Sequence, residues 1–256
     1  MKLTIKLGGT LLEEESSKRR LVGEIASTAR DHPSTVVVHG GGKQMTRFLA
    51  ERGIESKFVG GLRVTTPEVI DAVLKVFAGS VNHQLVAGLV AQGAAAVGLS
   101  GIDACLTEAE IWNPDLGAVG RPVRTNARLL NILTGNGFLP VVACVAGDRQ
   151  GRIYNVNADQ MAASCATGFE AARLIFLTDV PGVMDLSKRI RSVLTRAESE
   201  LLIRDGVASG GMQAKLEAAH EALDGGVSEV CIAPGAETNV VARLLAGESI
   251  GTRLVN

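Results

Sequence analysis

Short runs of Val, Ile and Leu recur along this chain at 3–7, 35–38, 94–99, 139–145, 174–177 and 230–233, and most stop at a small or polar residue before a segment of helical character. Runs this short and this uniformly apolar suit strands covered on both faces. Alternation of such strands with helices favours a mostly parallel sheet with right-handed crossovers. Helices are expected at about 16–31, 43–53, 67–77, 80–92, 125–136, 159–168, 196–205, 212–225 and 238–246. Residues 105–125 lack a helical period and carry Asn113-Pro114-Asp115 and Leu116-Gly117, so a hairpin beside the sheet is expected there, with a second turning at 148–151. No linker rich in Pro, Ser or charge divides the chain, which reads as two lobes around one sheet.

Composition narrows the function classes. With 256 residues, 46% of them hydrophobic, the chain can bury a full core, and a formal charge of −1 argues against a broad basic face for nucleic acid. Cys105, Cys144, Cys165 and Cys231 form no C-x-x-C pair and have no histidine at zinc spacing, which reads as buried thiols in a reducing compartment. Neither a signal segment nor a run of about 18 apolar residues is evident, so a cytoplasmic protein without a membrane span is expected.

Chemistry concentrates at three glycine turns and two lysines. Lys6-Leu7-Gly8-Gly9 ends the first run, His39-Gly40-Gly41-Gly42 ends the second, and Gly210-Gly211-Met212 precedes Lys215. Backbone N–H groups at such turns approach phosphate oxygens closely. Lysine inside a short apolar strand is costly unless an anion partners it, which makes Lys6 a phosphate ligand in waiting. Three glycines after 36–38 exceed what a strand-to-helix turn needs and suit a ligand at a helix N-terminus. Neither the P-loop nor the G-x-G-x-x-G spacing is present. His39 reads as a hydrogen-bonded turn residue with no catalytic role.

Arg63, just beyond Gly60-Gly61, offers a fork for a substrate carboxylate. Asn155, Asn157 and Asp159 share one side of an extended start, with Asn157 a helix cap and Asp159 able to orient two lysines or magnesium-bound water. The strand exit Thr178-Asp179-Val180-Pro181-Gly182-Val183 can grip a nucleotide through backbone groups, or be an ordinary turn.

Together, Lys6-Leu7-Gly8-Gly9, Val38-His39-Gly40-Gly41-Gly42, Gly61-Leu62-Arg63-Val64-Thr65, Ala96-Val97-Gly98-Leu99-Ser100-Gly101, Asn155-Val156-Asn157-Ala158-Asp159, Leu177-Thr178-Asp179-Val180, Gly210-Gly211-Met212 and Ile250-Gly251-Thr252-Arg253 resemble, in this order and nearly end to end, the amino acid kinase family. Its acetylglutamate-phosphorylating branch is the most similar. The resemblance implies an α/β fold, an open αβα sandwich with a mostly parallel central sheet, in which residues 1–170 bind the amino acid and dimerise and residues 171–256 bind ATP. It implies transfer of the γ-phosphoryl of MgATP to the side-chain carboxylate of N-acetyl-L-glutamate, in arginine biosynthesis.

Lys6 and Lys215 would stabilise the transferring group and Asp159 would hold them. Gly8, Gly9 and Gly41 would donate N–H groups to phosphates, and Gly41, Gly42, Arg63 and Asn155 would bind acetylglutamate, with Asn157 nearby. Thr178, Asp179, Val180, Pro181, Gly182, Val183, Val207, Ala208 and Ser209 would line the nucleotide site. Departures at Thr10, Ile102-Asp103-Ala104 and Ala143-Cys144-Val145-Ala146 bear on the acyl group. Because the chain begins at its first strand, an arginine-insensitive homodimer is expected. A sibling kinase for another carboxylate, such as an aminoadipate derivative, and a non-catalytic amino-acid sensor are the alternative readings.

Overall fold

The computed structural model describes residues 1–255, so Asn256, the last residue assigned to the expected C-terminal lobe, lies outside them. Every strand-like run of the sequence supplies a strand to one eight-stranded sheet, the run 139–145 doing so through 139–143 while Val145 begins a strand of a second sheet. In chain order its members are β1 (Leu3–Leu7), β2 (Thr35–His39), then, after the two-stranded ribbon β3 (Phe58–Val59) and β4 (Leu62–Arg63), β5 (Ala96–Ser100). A small closed four-stranded sheet follows, made of β6 (Thr107–Ile111), β7 (Val119–Thr125), β9 (Val145–Gly147) and β10 (Ile153–Val156), while β8 (Leu139–Ala143) belongs to the main sheet. The main sheet is completed by β11 (Arg173–Thr178), β12 (Val193–Thr195), β13 (Glu229–Pro234) and β14 (Thr252–Val255) in the order β12-β14-β13-β11-β1-β2-β8-β5. All its pairings are parallel except β13 with β14.

The helices are α1 (Glu15–Asp31), α2 (Gly42–Ala50), α3 (Pro67–Val73), α4 (Asn82–Ala91), α5 (Ala127–Gly135), α6 (Ala158–Phe169), α7 (Arg196–Arg204), α8 (Gly211–Asp224) and α9 (Val240–Leu245). The expected helices 67–77 and 80–92 are one continuous rod: α3 and α4 are joined by a π-helical stretch, Leu74–Val81, which absorbs Gly79 and Ser80 without a break. By length and mean hydropathy this rod resembles a membrane span. Here Val73, Phe77, Leu85 and Leu89 bury its apolar face in the protein core.

β1 and β2 are the centre of the fold, with all five residues of each buried. That places Lys6, which pairs with Val38 and Phe176 on either side, in the middle of the apolar layer. The carboxyl ends of β1, β2 and β11 open on one side, where Gly8, Gly40 and Asp179 begin the loops. Ligands of open α/β sheets gather at such an edge. The sequence offers no comparable signal for β12 and β14, of three and four residues, which extend the sheet beyond β13.

Candidate active site

Lys6 is 5% exposed, and its ammonium lies 2.7 Å from Oδ1 of Asp159, which is also 5% exposed and stands in the first turn of α6. From the first turns of α8, Lys215 Nζ donates to Asp159 Oδ2 at 3.2 Å and to the Gly211 carbonyl at 3.4 Å. One carboxylate thus joins two ammonium groups from opposite ends of the chain. Lys6 approaches Oδ1 off the direction of a hydrogen bond, leaving that oxygen without an aligned donor. Burial pushes the Asp159 carboxyl up, but the charges of Lys6 and Lys215 outweigh it and hold the group below the usual carboxylate range. Two cations against one anion leave the cluster one positive charge in excess.

The first two glycine turns touch. A Cβ on Gly9 would lie 3.2 Å from the Gly42 nitrogen and 3.7 Å from that of Gly41, so backbone nitrogens of the second turn face the first. A Cβ on Gly41 would meet the Phe77 ring at 2.9 Å. Gly8 plays another part than the sequence suggests: its N–H donates to the Leu177 carbonyl at 2.9 Å, so it allows close packing of β1 on β11 and has no donor left for a phosphate. α2 and α8 both start at glycine, with no side chain capping their first N–H groups; α1 and α9 are likewise uncapped, whereas α3, α5, α6 and α7 are capped by Thr66, Asn126, Asn157 and Thr195. At the start of α8, Gly210 adopts φ 55°, a conformation in which a side chain is strained.

Beside the second turn is a cleft of about 140 Å³ whose walls include Arg63, Asn155, Phe58, Phe77, Val119 and Cys144. Arg63 is buried, with Nη2 donating to the Gly42 carbonyl at 3.0 Å and to Thr46 Oγ1 at 2.8 Å, and Nη1 donating to Ser56 Oγ. Its guanidinium lies 4.6 Å from the centre of the Phe58 ring. Among the described residues no carboxylate pairs with it, and burial lowers its affinity for its proton. Asn155 Nδ2 donates to Thr65 Oγ1 at 3.0 Å. Asn157 is the cap the sequence suggests, accepting from Asp159 N at 2.8 Å and Gln160 N at 3.3 Å, and it also edges the cleft.

On the other side of the lysines, Thr178 is buried and donates to Asp179 Oδ1 at 3.2 Å. Burial raises the Asp179 pKa, and donors from Thr10, its own backbone and Thr178, with the charge of Lys215, more than reverse that. The strand exit is braced from behind by β14: Val183 N–H donates to Thr252 Oγ1 at 2.8 Å, and a Cβ on Gly182 would fall 2.9 Å from the same atom. Val180 and Pro181 form the bend between Asp179 and Gly182. Val207 and Ala208 both donate to the Leu202 carbonyl at the end of α7, and Ser209 leads into Gly210.

Sequence reasoning missed Phe58 and Phe77, which line the cleft, and Ser56 and Thr46, which hold Arg63. A larger hollow of about 210 Å³, between Arg173, Glu229, Arg253 and residues 247–250, lies at the amino ends of β11 and β13. It is remote from the lysines, so size alone does not locate the chemistry.

Residues 1–234 match the sequence model of the Amino acid kinase family. An acetylglutamate kinase of Solibacter usitatus (strain Ellin6076) is 64% identical over 255 residues, covering 100% of this chain and 99% of that protein. One from Koribacter versatilis (strain Ellin345) is 41% identical over 258 residues, covering 100% and 99%. Among solved structures, the N-acetylglutamate synthase of Neisseria gonorrhoeae, in complex with coenzyme A and N-acetyl-glutamate, superposes with a TM-score of 0.87 at 25% identity. That match covers 100% of this chain and 59% of the longer synthase chain.

Proposed function

This chain belongs to the amino acid kinase family, and we propose that its cleft transfers the γ-phosphoryl group of ATP to the side-chain carboxylate of N-acetyl-L-glutamate, a step of arginine biosynthesis. The observation that carries the chemistry is the bridging of Lys6 and Lys215 by Asp159. The reading of the substrate rests on the 64% identical acetylglutamate kinase matched over its full length.

Two anions must meet for this reaction. An acceptor carboxylate with a solution pKa of about 4 is ionised at neutral pH, so no general base is needed. What the site must supply is alignment and positive charge where it spreads over the equatorial oxygens. Lys6 and Lys215 supply the charge, and Asp159, with an ammonium at each oxygen, keeps two mutually repelling cations in one place. Gly9, Gly41 and Gly42 let phosphate oxygens reach the uncapped start of α2. Gly8 contributes room only. Arg63, a buried cation without an acidic partner among the described residues, receives a carboxylate of the acceptor. Asn155 donates to it, and Asn157 shapes the floor.

The nucleotide occupies the other side, along Thr178, Asp179, Val180, Pro181, Gly182 and Val183 and beside Val207, Ala208 and Ser209, with magnesium entering on its phosphates. Residues 1–170 thereby hold the acceptor and 171–256 the nucleotide. The free edge of β5, last in the sheet, supports a homodimer, which sedimentation would reveal. The four cysteines are free thiols, Cys144, Cys165 and Cys231 buried as the sequence suggests and Cys105 exposed against that expectation, and free thiols agree with a cytoplasmic site of action.

The test is ADP release with acetylglutamate, aspartate, glutamate and aminoadipate derivatives offered in turn, with and without arginine. Turnover confined to acetylglutamate supports the assignment. Preference for another acceptor replaces it with a sibling activity, and ligand binding without ADP release makes the protein a sensor.

A further inference from the structure

One buried polar network beneath the cleft has no part in the chemistry above. Asn82, the first residue of α4, is 2% exposed, and its Nδ2 lies 3.0 Å from His39 Nε2 and 2.9 Å from the Val141 carbonyl oxygen. Only the amide NH₂ can face a carbonyl oxygen, so this contact fixes which way the side chain points. The second amide hydrogen then donates to His39 Nε2, which must be an acceptor. His39 is fully buried, so water cannot compete for it. Its proton therefore resides on Nδ1, and Nδ1–H donates to the Gly40 carbonyl at 2.9 Å.

That carbonyl belongs to the peptide linking Gly40 to Gly41. No cis peptide occurs among the described residues, so the C=O of Gly40 and the N–H of Gly41 point in opposite directions. Tying the oxygen to His39 turns the N–H away from the core, on the side where Gly9 approaches the Gly41 nitrogen. The π-helical stretch brings three supports to the same turn: Phe77 and Val81 pack on Gly41, and Asn82 follows immediately. A Cβ on Gly98 would collide with Asn82 Oδ1, so β5 also presses the amide into place.

We propose that Asn82 is a positioning residue for the glycine turn: by holding His39 in its Nδ1–H form it anchors the Gly40 carbonyl and aims the Gly41 N–H at the anionic reactants. The activity arm of this proposal rests on the kinase reading; the tautomer does not. No ionisable side chain other than His39 belongs to the relay, whose remaining members are an amide and two carbonyls.

Long-range ¹H–¹⁵N spectra of the unliganded wild-type protein should show His39 as the Nδ1–H tautomer throughout the neutral range. An Nε2–H form, or a mixture, overturns the relay whatever the activity. Steady-state kinetics then compare Asn82→Ala, His39→Gln and His39→Asn. In His39→Asn the side-chain amide can reach the Gly40 carbonyl from the Nδ1 position. In His39→Gln it reaches the Nε2 position instead.

We expect kcat to fall about tenfold or more in Asn82→Ala and His39→Gln, by misalignment of the turn, and far less in His39→Asn. Asn82→Ala should also have little further effect when added to His39→Asn. Equal losses in the two His39 variants, or additive losses, would show that these residues serve packing only. Should wild-type protein fail to turn over acetylglutamate, the kinase reading falls while the spectrum still decides the tautomer.

Discussion

Lys6 Nζ lies 2.7 Å from Asp159 Oδ1, with each side chain at most 7% exposed, so the pair is largely screened from water. Removing one member of such a pair leaves an uncompensated charge in the interior, at about 3–5 kcal/mol. Asp159→Asn strands two cations, Lys6 and Lys215, and is expected to lower the unfolding free energy on this scale. Bound MgATP would restore a negative partner, so the gap from wild type should narrow when nucleotide is added. Denaturant unfolding with and without MgATP measures both effects; an unchanged gap would mean that the nucleotide phosphates do not meet the lysines.

Lys215 is the more accessible lysine, at 15% side-chain exposure, and sits on a helix that stays packed without it through Leu216, Ala219 and Leu223. Lys215→Ala is therefore expected to fold normally. Losing one charged donor to the transferring group raises the barrier by about 3 kcal/mol, roughly a hundredfold in kcat. The KM for acetylglutamate should move little, since the cleft around Arg63 is untouched. Circular dichroism and saturation kinetics check the two halves of this expectation, and a near-normal kcat would remove Lys215 from the chemistry.

Much of this arrangement is legible in the sequence because it is local. Runs of Val and Ile give strands, glycine pairs after them give turns, and a lysine within an apolar run marks a charge that needs a partner. Asn157 before α6 is a cap in both readings. What is not legible is long-range or short. The pairing of β14 with β12 and β13, the Phe77 ring against Gly41 and the amide of Asn82 on His39 join segments far apart in sequence. Gly8 illustrates a subtler limit: glycine announces a close approach, but not whether a ligand or another strand makes it.

Arg63 is held in place by Gly42, Thr46 and Ser56, which take both hydrogens of Nη2 and one of Nη1, so Nε–H and the second Nη1 hydrogen are its remaining donors. A lysine there keeps the charge and loses the planar guanidinium, with both its anchoring bonds and its remaining N–H donors. Arg63→Lys should raise the KM for acetylglutamate at least about tenfold, equivalent to about 1.4 kcal/mol, with a smaller change in the KM for ATP. A shift in the ATP term alone would move Arg63 to the nucleotide side.

Gly41 faces the Phe77 ring with no room for a methyl group, since an added Cβ would stand 2.9 Å from Cδ1. Its φ of −177° is open to any residue, so the restriction is one of space alone. Gly41→Ala is expected to destabilise the fold by about 1–3 kcal/mol through overpacking. Phe77→Leu in the same chain should recover part of that loss. Thermal unfolding of the two single variants and the double variant measures the coupling, and additive losses would place the strain elsewhere.

The remaining prediction concerns pH. Burial takes the His39 imidazolium out of water and lowers its pKa from 6.5 to about 4, the hydrogen bond to Gly40 offsetting this only in part. Between those two values the unfolded chain binds a proton that the folded one refuses. Stability is therefore complete above pH 6.5 and declines as the pH falls toward about 4. Across that window the loss attributable to His39 is about 3 kcal/mol, since each pH unit between the unfolded and folded values contributes about 1.4 kcal/mol. Asp159 acts in the opposite pH region: its folded pKa is depressed, so its contribution persists above the unfolded carboxylate range and vanishes only as the pH falls through the lower, folded value. His220, also lowered, chiefly by burial, adds to the first limb. Urea titrations of wild type and His39→Gln from neutrality down through the carboxylate range separate these contributions. The variant should lose most of the slope in the upper window and keep the Asp159 limb below it; identical slopes would mean that His39 takes up its proton in the folded state.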